Sequence, residues 1–598
     1  KQTKESYKET QNERQTNPKR ATNKLEDSSN HNRGNLQTTR RPLTARGRNA
    51  IVLLAAALAA SVLMTWPLAS GLGHLGRTQN SGDGRFAVWN VAWVAHALTT
   101  SPADLFDANI FYPHRRALAF SEANIGAGTL AVPIWAATRN PFAAHNSVVL
   151  MAFSASVIFT WLLVRRLTGD GAAAATASIL FAFCPYVFAH TAHIQLLMVA
   201  GIPLSLLAFH RLVDAPSPGR GVALGLALAA QAMSCAYYGV SVGLTIGYAT
   251  LFCAWSRRLW TTKRYWIAIA IAATSSLVIV VPFFLPFLAI QEETGFARSL
   301  DDARQWSAYV RSYLASGSHA HAWLLPLIRE WNAAVLFPGF LSIGLGLAGA
   351  AIALREPNLP TATLRLSRDR ETAMLYGSIA ILTFWASLGP RAGLYSLFYA
   401  TIPIFSFLRA PERMGIVVML CLAVLAAFAI RELRRRFPAR RRAIAIITCA
   451  ASILELNDLP FDWRSDSVRT TYRVLAAMPR GPVAEFPFFD RRIDFHIHTR
   501  YMLNSTAHWQ PLLNGYSDHI PADFRELAPV LATFPSQDSF NALKERRVRY
   551  VTLNRGRQGY GGGAWPDIER RLQPYLPHLK VVADDGELVI YEVVSWPK

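Results

Sequence analysis

The chain reads as a polytopic α-helical membrane protein of about eleven spans, with a C-terminal extracytoplasmic α/β domain. Three observations predict it. Apolar residues make up 52% of the 598 residues and charged residues only 17%, where soluble chains carry about 25% charge. From Ile51 to Leu456 long apolar runs alternate with short polar joints. Finally, the joints on one side hold 19 Lys/Arg against 6 Asp/Glu, and those on the other 12 against 11. That asymmetry is the positive-inside pattern, so the N-terminus is expected in the cytoplasm and the C-terminus outside it.

Residues 1–50 hold few large apolar side chains and 12 Lys/Arg against 5 Asp/Glu. Such a stretch buries too little surface to offset chain entropy and reads as a disordered basic cytoplasmic tail. No secretory leader is evident in it, because the first apolar run begins only at about Ile51. Residues 51–456 form the expected transmembrane domain, with runs at 51–70, 146–166, 172–190, 193–213, 221–236, 238–255, 265–288, 335–354, 372–388, 412–431 and 442–456. Most reach the roughly 17–25 residues that cross a bilayer. Tyr237 and Tyr238 fall at a short turn suited to the interface. Residues 457–598 alternate β-like runs such as Val548–Leu553 and Leu588–Tyr591 with helical stretches and turns, and carry 18 Lys/Arg against 17 Asp/Glu. All five cysteines lie in or at the ends of predicted spans, so no disulfide framework is implied. The net charge of +22 thus sits on the tail and the cytoplasmic joints. It reads as topogenic charge rather than a nucleic-acid surface.

The first external loop, 71–145, is too long for a mere connector. After Ser81-Gly82-Asp83-Gly84 come Trp89 and Trp93 at helical spacing, which predicts an amphipathic helix in the interface with its Trp side toward lipid. A second helix is expected at about Ile125–Ala137, with Asp107, Tyr112, Arg115, Arg116 and Glu122 between the two. Asp83 has two readings: a turn or N-cap acid, or a general base whose pKa a partly desolvated interface would raise. Glu122 is the loop's second candidate carboxylate, or a solvated loop acid. His190 and His193, with Gln195, sit in the next external turn. They could be structural, donate hydrogen bonds to phosphate or sugar, or ligate a metal, although no recognised zinc spacing is present. Arg409 and Arg413 stand at the mouth of a span, where a guanidinium suits an oxyanion or simply snorkels.

Several stretches together resemble the GT-C superfamily of integral-membrane glycosyltransferases, in particular a bacterial branch. They are Asp83 with Trp89 and Trp93, Leu105-Phe106-Asp107-Ala108-Asn109-Ile110-Phe111-Tyr112-Pro113, His193-Ile194-Gln195, Leu408-Arg409-Ala410-Pro411-Glu412-Arg413, and the run from Ser505 through His508-Trp509 to Asn514-Gly515-Tyr516. The superfamily includes protein mannosyltransferases and lipid A aminoarabinose transferases. The resemblance spans roughly 51–598 and implies a multi-pass protein of the bacterial inner membrane. It implies transfer of a hexosyl or pentosyl group, with inversion, from a polyprenyl-phosphate sugar to a glycan, lipid or protein acceptor. By position Asp83 becomes the base. Gly84 stands where some members have a second acid, which puts a two-acid site and any divalent metal ion in doubt. Arg115, Arg116, Arg409, Arg413, His190, His193 and Gln195 become candidate donor contacts, and His508 and Trp509 candidate acceptor contacts. Two alternatives remain open: a lipid-sugar or solute transporter or flippase, and a polysaccharide polymerase or ligase using a lipid-linked donor. No internal repeat of the kind many transporters show is evident.

Overall fold

The computed structural model describes residues 45–77, 80–295, 297–328, 334–356, 366–556 and 565–598. Nearly all of the basic tail, and Arg365 in one joint, lie outside them. The chain divides into two units, 1–50 and 51–598. Of the first, only the start of the helix Ala45–Met64 is described.

Among the described residues, seven helical segments are long and apolar enough to cross a membrane: Gly47–Met64, Pro141–Thr168, Gly171–Ala189, Ile194–Asp214, Ala236–Ser256, Lys263–Thr294 and Pro411–Arg436. The other four expected spans fall on the helices Pro218–Ser234, Phe340–Leu354, Arg368–Ser387 and Arg441–Glu455. A helix of 15 residues, such as Phe340–Leu354, extends about 22 Å against a hydrocarbon thickness of about 30 Å. The helix Arg368–Ser387 opens on four charged residues, Arg368 to Glu371. This is a multi-pass membrane protein.

Close helix approaches explain some glycines. A Cβ at Gly221 or Gly225 would lie 2.5 Å from the carbonyl oxygen of Ala268 or Ala272, so only glycine lets Pro218–Ser234 sit so near Lys263–Thr294. Between Pro218–Ser234 and Ala236–Ser256 the backbone breaks at the extended Cys235. The turn expected at Tyr237–Tyr238 is therefore a helix break two residues earlier.

Strands pair in two places. β1 (Leu75–Arg77) lies antiparallel to β2 (Trp463–Ser465), tying the start of loop 71–145 to the residues after the helix Arg441–Glu455. The Arg77 guanidinium stacks 4.4 Å over the Phe461 ring beside that ribbon. β3 (Val483–Phe486), β4 (Tyr550–Asn554), β5 (Leu579–Asp584) and β6 (Leu588–Val593) form a sheet in the order β3-β4-β6-β5. Only the β3–β4 pair is parallel.

The helix Ser81–Thr100 corrects one expectation. Trp89 and Trp93 do not face lipid; they are 1% and 8% exposed. The Trp89 indole donates to Asn109 Oδ1 at 3.2 Å and that of Trp93 to the Leu105 carbonyl at 2.9 Å. Both join one hydrophobic core with Phe111, Phe120, Tyr472, Phe486, Leu553 and Ile590. Periodicity showed an apolar helix face but not what would cover it, and the C-terminal residues do.

Candidate active site

Asp83 lies in the first turn of the helix Ser81–Thr100, where the helix N-terminus favours negative charge. Asn80, at φ +50°, directs its amide to Asp83 Oδ2 at 2.7 Å. Tyr516 donates its hydroxyl to Oδ1 at 3.3 Å. His193 Nε2 approaches Oδ2 at 3.2 Å. Burial pushes the Asp83 pKa up, but the hydrogen bond and charge of His193, with the bonds from Asn80 and Tyr516, outweigh it and hold the carboxyl below the usual range. This reverses the expected upward shift. The carboxylate has gained three donors as well as losing water.

His193 owes its position to a turn between membrane helices, where its backbone N–H donates to the His190 carbonyl at 2.8 Å. His190 is buried and hydrogen-bonds through Nδ1 to the Tyr186 carbonyl at 2.7 Å. Burial pushes its pKa down to about 3, which favours the neutral ring. Gln195 is half-buried on the same turn.

Glu122 does not meet Asp83 directly. Its Oε1 accepts from the Ala236 N–H at 2.5 Å, capping the helix that restarts after the break at Cys235. Its Oε2 is buried with no hydrogen-bond partner among the described residues. Burial raises the Glu122 pKa, opposed first by the charge of Arg413 and more weakly by His193. His193 therefore stands in the field of both carboxylates.

Arg409 and Arg413 part company. Arg409 pairs with Asp518 at 2.8 Å and stacks 5.4 Å over Trp306. Asp518 is held by Arg298 as well. Arg413 stacks 4.0 Å over Tyr237, and among the described residues no carboxylate lies within ion-pair distance of it. Its Nε is buried without a partner. Tyr237 joins the two, since its hydroxyl accepts from the Arg409 N–H at 3.3 Å.

Four candidates fall elsewhere. Arg115 is exposed and bonds Asp107 at 2.8 Å, and Arg116 pairs with Glu293. His508 is buried against Tyr472, its pKa pushed down to about 3 by burial. Trp509 stacks on His96 with centroids 4.6 Å apart and meets Trp93 and Trp135 edge-on. It joins the C-terminal residues to loop 71–145, and that packing occupies the ring expected to meet an acceptor. Asn514 is likewise committed, exchanging hydrogen bonds with the Glu485 backbone at 2.8 and 3.0 Å. Asn80, Trp306 and Asp518 escaped the sequence reading, although Asp518 lies just beyond Tyr516 in a stretch that carried the resemblance.

Among the described residues no three His, Cys, Asp or Glu side chains are grouped to hold an ion.

Residues 91–459 match a family described as a domain of unknown function (DUF6311). The chain belongs to that family. No curated protein matches the DUF6311 chain. Among solved structures it is similar to the arabinofuranosyltransferase AftD from Mycobacteria, at 16% identity and a TM-score of 0.55, over 92% of this chain and 42% of that one. It is also similar to ArnT from Cupriavidus metallidurans bound to undecaprenyl phosphate, at 15% identity and a TM-score of 0.47, over 93% of this chain and all of that one. A third similarity is to the oligosaccharyltransferase AglB from Archaeoglobus fulgidus in complex with an inhibitory peptide and a dolichol-phosphate, at 14% identity and a TM-score of 0.45, over 89% of this chain and 72% of that one. The DUF6311 chain shares its fold with that arabinofuranosyltransferase over the matched length.

Proposed function

We propose that the chain is an inverting glycosyltransferase that moves a sugar from a polyprenyl-phosphate donor to an acceptor hydroxyl outside the cytoplasm, with Asp83 as general base. The observation that carries this reading is an ionised Asp83 linked through His193 and Glu122 to an arginine, Arg413, that no carboxylate contacts among the described residues. A base that must take a proton and a cation that must take an oxyanion are both left available. Arg413 stands at the start of the membrane-type helix Pro411–Arg436, and Asp83 in the first turn of the loop helix Ser81–Thr100.

In this mechanism the acceptor oxygen attacks the anomeric carbon as its proton passes to Asp83. The bond from that carbon to the donor phosphate breaks, and the lipid leaves as a phosphate monoester with one more negative charge. Arg413 takes up that charge in a partly dry site, where a fixed guanidinium stabilises more than it would in water. Glu122 is the positioning acid: it caps Ala236–Ser256 and fixes the ground beneath Tyr237 and Arg413. His193 keeps Asp83 ionised and can relay the proton away from it. The lipid tail would lie between membrane helices, and the positive-inside bias supports the orientation.

Two measurements test the reading. Purified full-length protein should carry a lipid-linked sugar detectable by mass spectrometry, and Asp83→Asn should abolish its transfer in membranes while expression persists. Undiminished transfer by that variant would sink the role given to Asp83.

A further inference from the structure

A second set of unneutralised arginines lies apart from Asp83. A cavity of about 220 Å³ is lined by Arg139 and Arg473, with Gly73, Pro141, Ser467 and Thr506 among its walls. None of its lining residues belongs to the cluster around Asp83, Glu122 and Arg413. Arg139 follows the helix Ile125–Thr138, and its φ of +51° turns the chain sharply before Pro141 begins the next helix. Arg473 comes from the short 3-10 turn Thr470–Arg473, so loop 71–145 and the C-terminal residues each supply one guanidinium. Both are exposed, and among the described residues neither has a carboxylate within ion-pair distance. Asp466, the acid next to Ser467, is already bonded by Arg85 at 2.9 Å and Arg500 at 2.5 Å. Arg480 adds to the positive field. With burial as the main cause, Arg139 and Arg480 push the pKa of nearby His96 down to about 4.

Position narrows the ligand. Pro141 opens a 28-residue apolar helix of membrane type, and Gly73 follows the end of another, Gly47–Met64. Trp66, half exposed at that end, suits the aromatic belt of a bilayer surface. The cavity therefore lies beside the start of a membrane-type helix, where a lipid headgroup could reach it. Two guanidiniums from separate segments, neither paired with a carboxylate among the described residues although Arg139 stacks 5.7 Å over Trp135, line one small polar cavity and match a phosphate oxyanion better than a neutral sugar.

We propose that Arg139 and Arg473 form a binding site for the phosphate group of a ligand that reaches the protein at the membrane surface. A phospholipid headgroup and a soluble phosphate share this chemistry, and the test separates them. Full-length protein in phosphatidylcholine nanodiscs is compared with and without added phosphatidic acid, and separately with inorganic phosphate, by thermal unfolding and native mass spectrometry. Saturable binding of phosphatidic acid is expected, weakened at least about tenfold in Arg139→Gln/Arg473→Gln, as loss of two charge-assisted contacts implies. Retention of binding by Arg139→Lys/Arg473→Lys would show that the glutamine variant lost charge rather than fold. The same arginine-dependent response to inorganic phosphate would support the site and identify a soluble source; a response to phosphatidic acid alone identifies the lipid. Equal weakening by Arg492→Gln/Arg525→Gln, which removes the same charge elsewhere, would reduce the effect to diffuse attraction and overturn the site. So would binding that the Arg139/Arg473 variants leave unchanged, or no binding to either probe.

Discussion

Around Glu485 and around Asp83 the chain buries acidic side chains in very different company. Glu485 accepts from the Tyr472 hydroxyl at 2.5 Å, and its backbone is bonded on both sides by Asn514, whose amide also reaches His498. His498 in turn hydrogen-bonds the Phe489 carbonyl at 3.1 Å. That network ties strand, helix and turn together through side-chain and backbone bonds, as buried polar groups that support a fold do. Near Asp83, by contrast, Glu122 Oε2 and Arg413 Nε are buried without partners among the described residues. Leaving them so costs free energy of roughly 1–3 kcal/mol each. A ligand that satisfied them would recover it. Among the described residues the first cluster holds no arginine, whereas the second sets a carboxylate and a guanidinium in one electrostatic field.

The sharpest way to break this contrast is Asp83→Asn, expected to lower transfer roughly 10²–10⁴-fold in a membrane assay, as loss of a general base does. Arg413→Gln should lower turnover about 10²-fold, since it removes a charge placed where the leaving phosphate develops its own. Arg409→Gln, whose half-exposed pair with Asp518 is worth at most ~1 kcal/mol, should change turnover by less than about fivefold. Equal losses in the two arginine variants would erase the distinction drawn between them. On the other side of the contrast, Asn514→Ala should cost about 2 kcal/mol in thermal unfolding yet leave turnover per folded molecule unchanged. A selective loss of activity there would make the Glu485 cluster part of the site after all.

The smallest effect is one of pH. Because the Asp83 pKa is lowered, its carboxylate stays charged above that value, and activity should fall only as pH drops through it. His193→Asn removes the chief interactions that lower it, so burial should prevail and the acid limb of the pH–rate profile should move to higher pH. An unmoved acid limb would detach His193 from the base.

Much of the site was legible in the chain, but not its wiring. Asp83 stood out because an acid in Ser-Gly-Asp-Gly ahead of a helix is a local feature, and Arg413 because it opens a span. Their partners are remote: Tyr516 lies 433 positions from Asp83, and the Glu122 carboxylate reaches Ala236 across 114. No local spacing encodes such pairs. The Trp face of the helix Ser81–Thr100 was misjudged for the same reason, since lipid and a protein core present the same apolar demand to one helix.

Hydropathy and charge bias thus determined the membrane class by themselves, because every backbone in a bilayer must satisfy its polar groups locally, within a helix. Which acid sits ionised, which arginine is spent and which stays free depended on segments far apart in sequence. Electrostatic energy is set by distance in space, and only the tertiary structure brought His193, Tyr516 and Asp518 to the residues whose charge they govern.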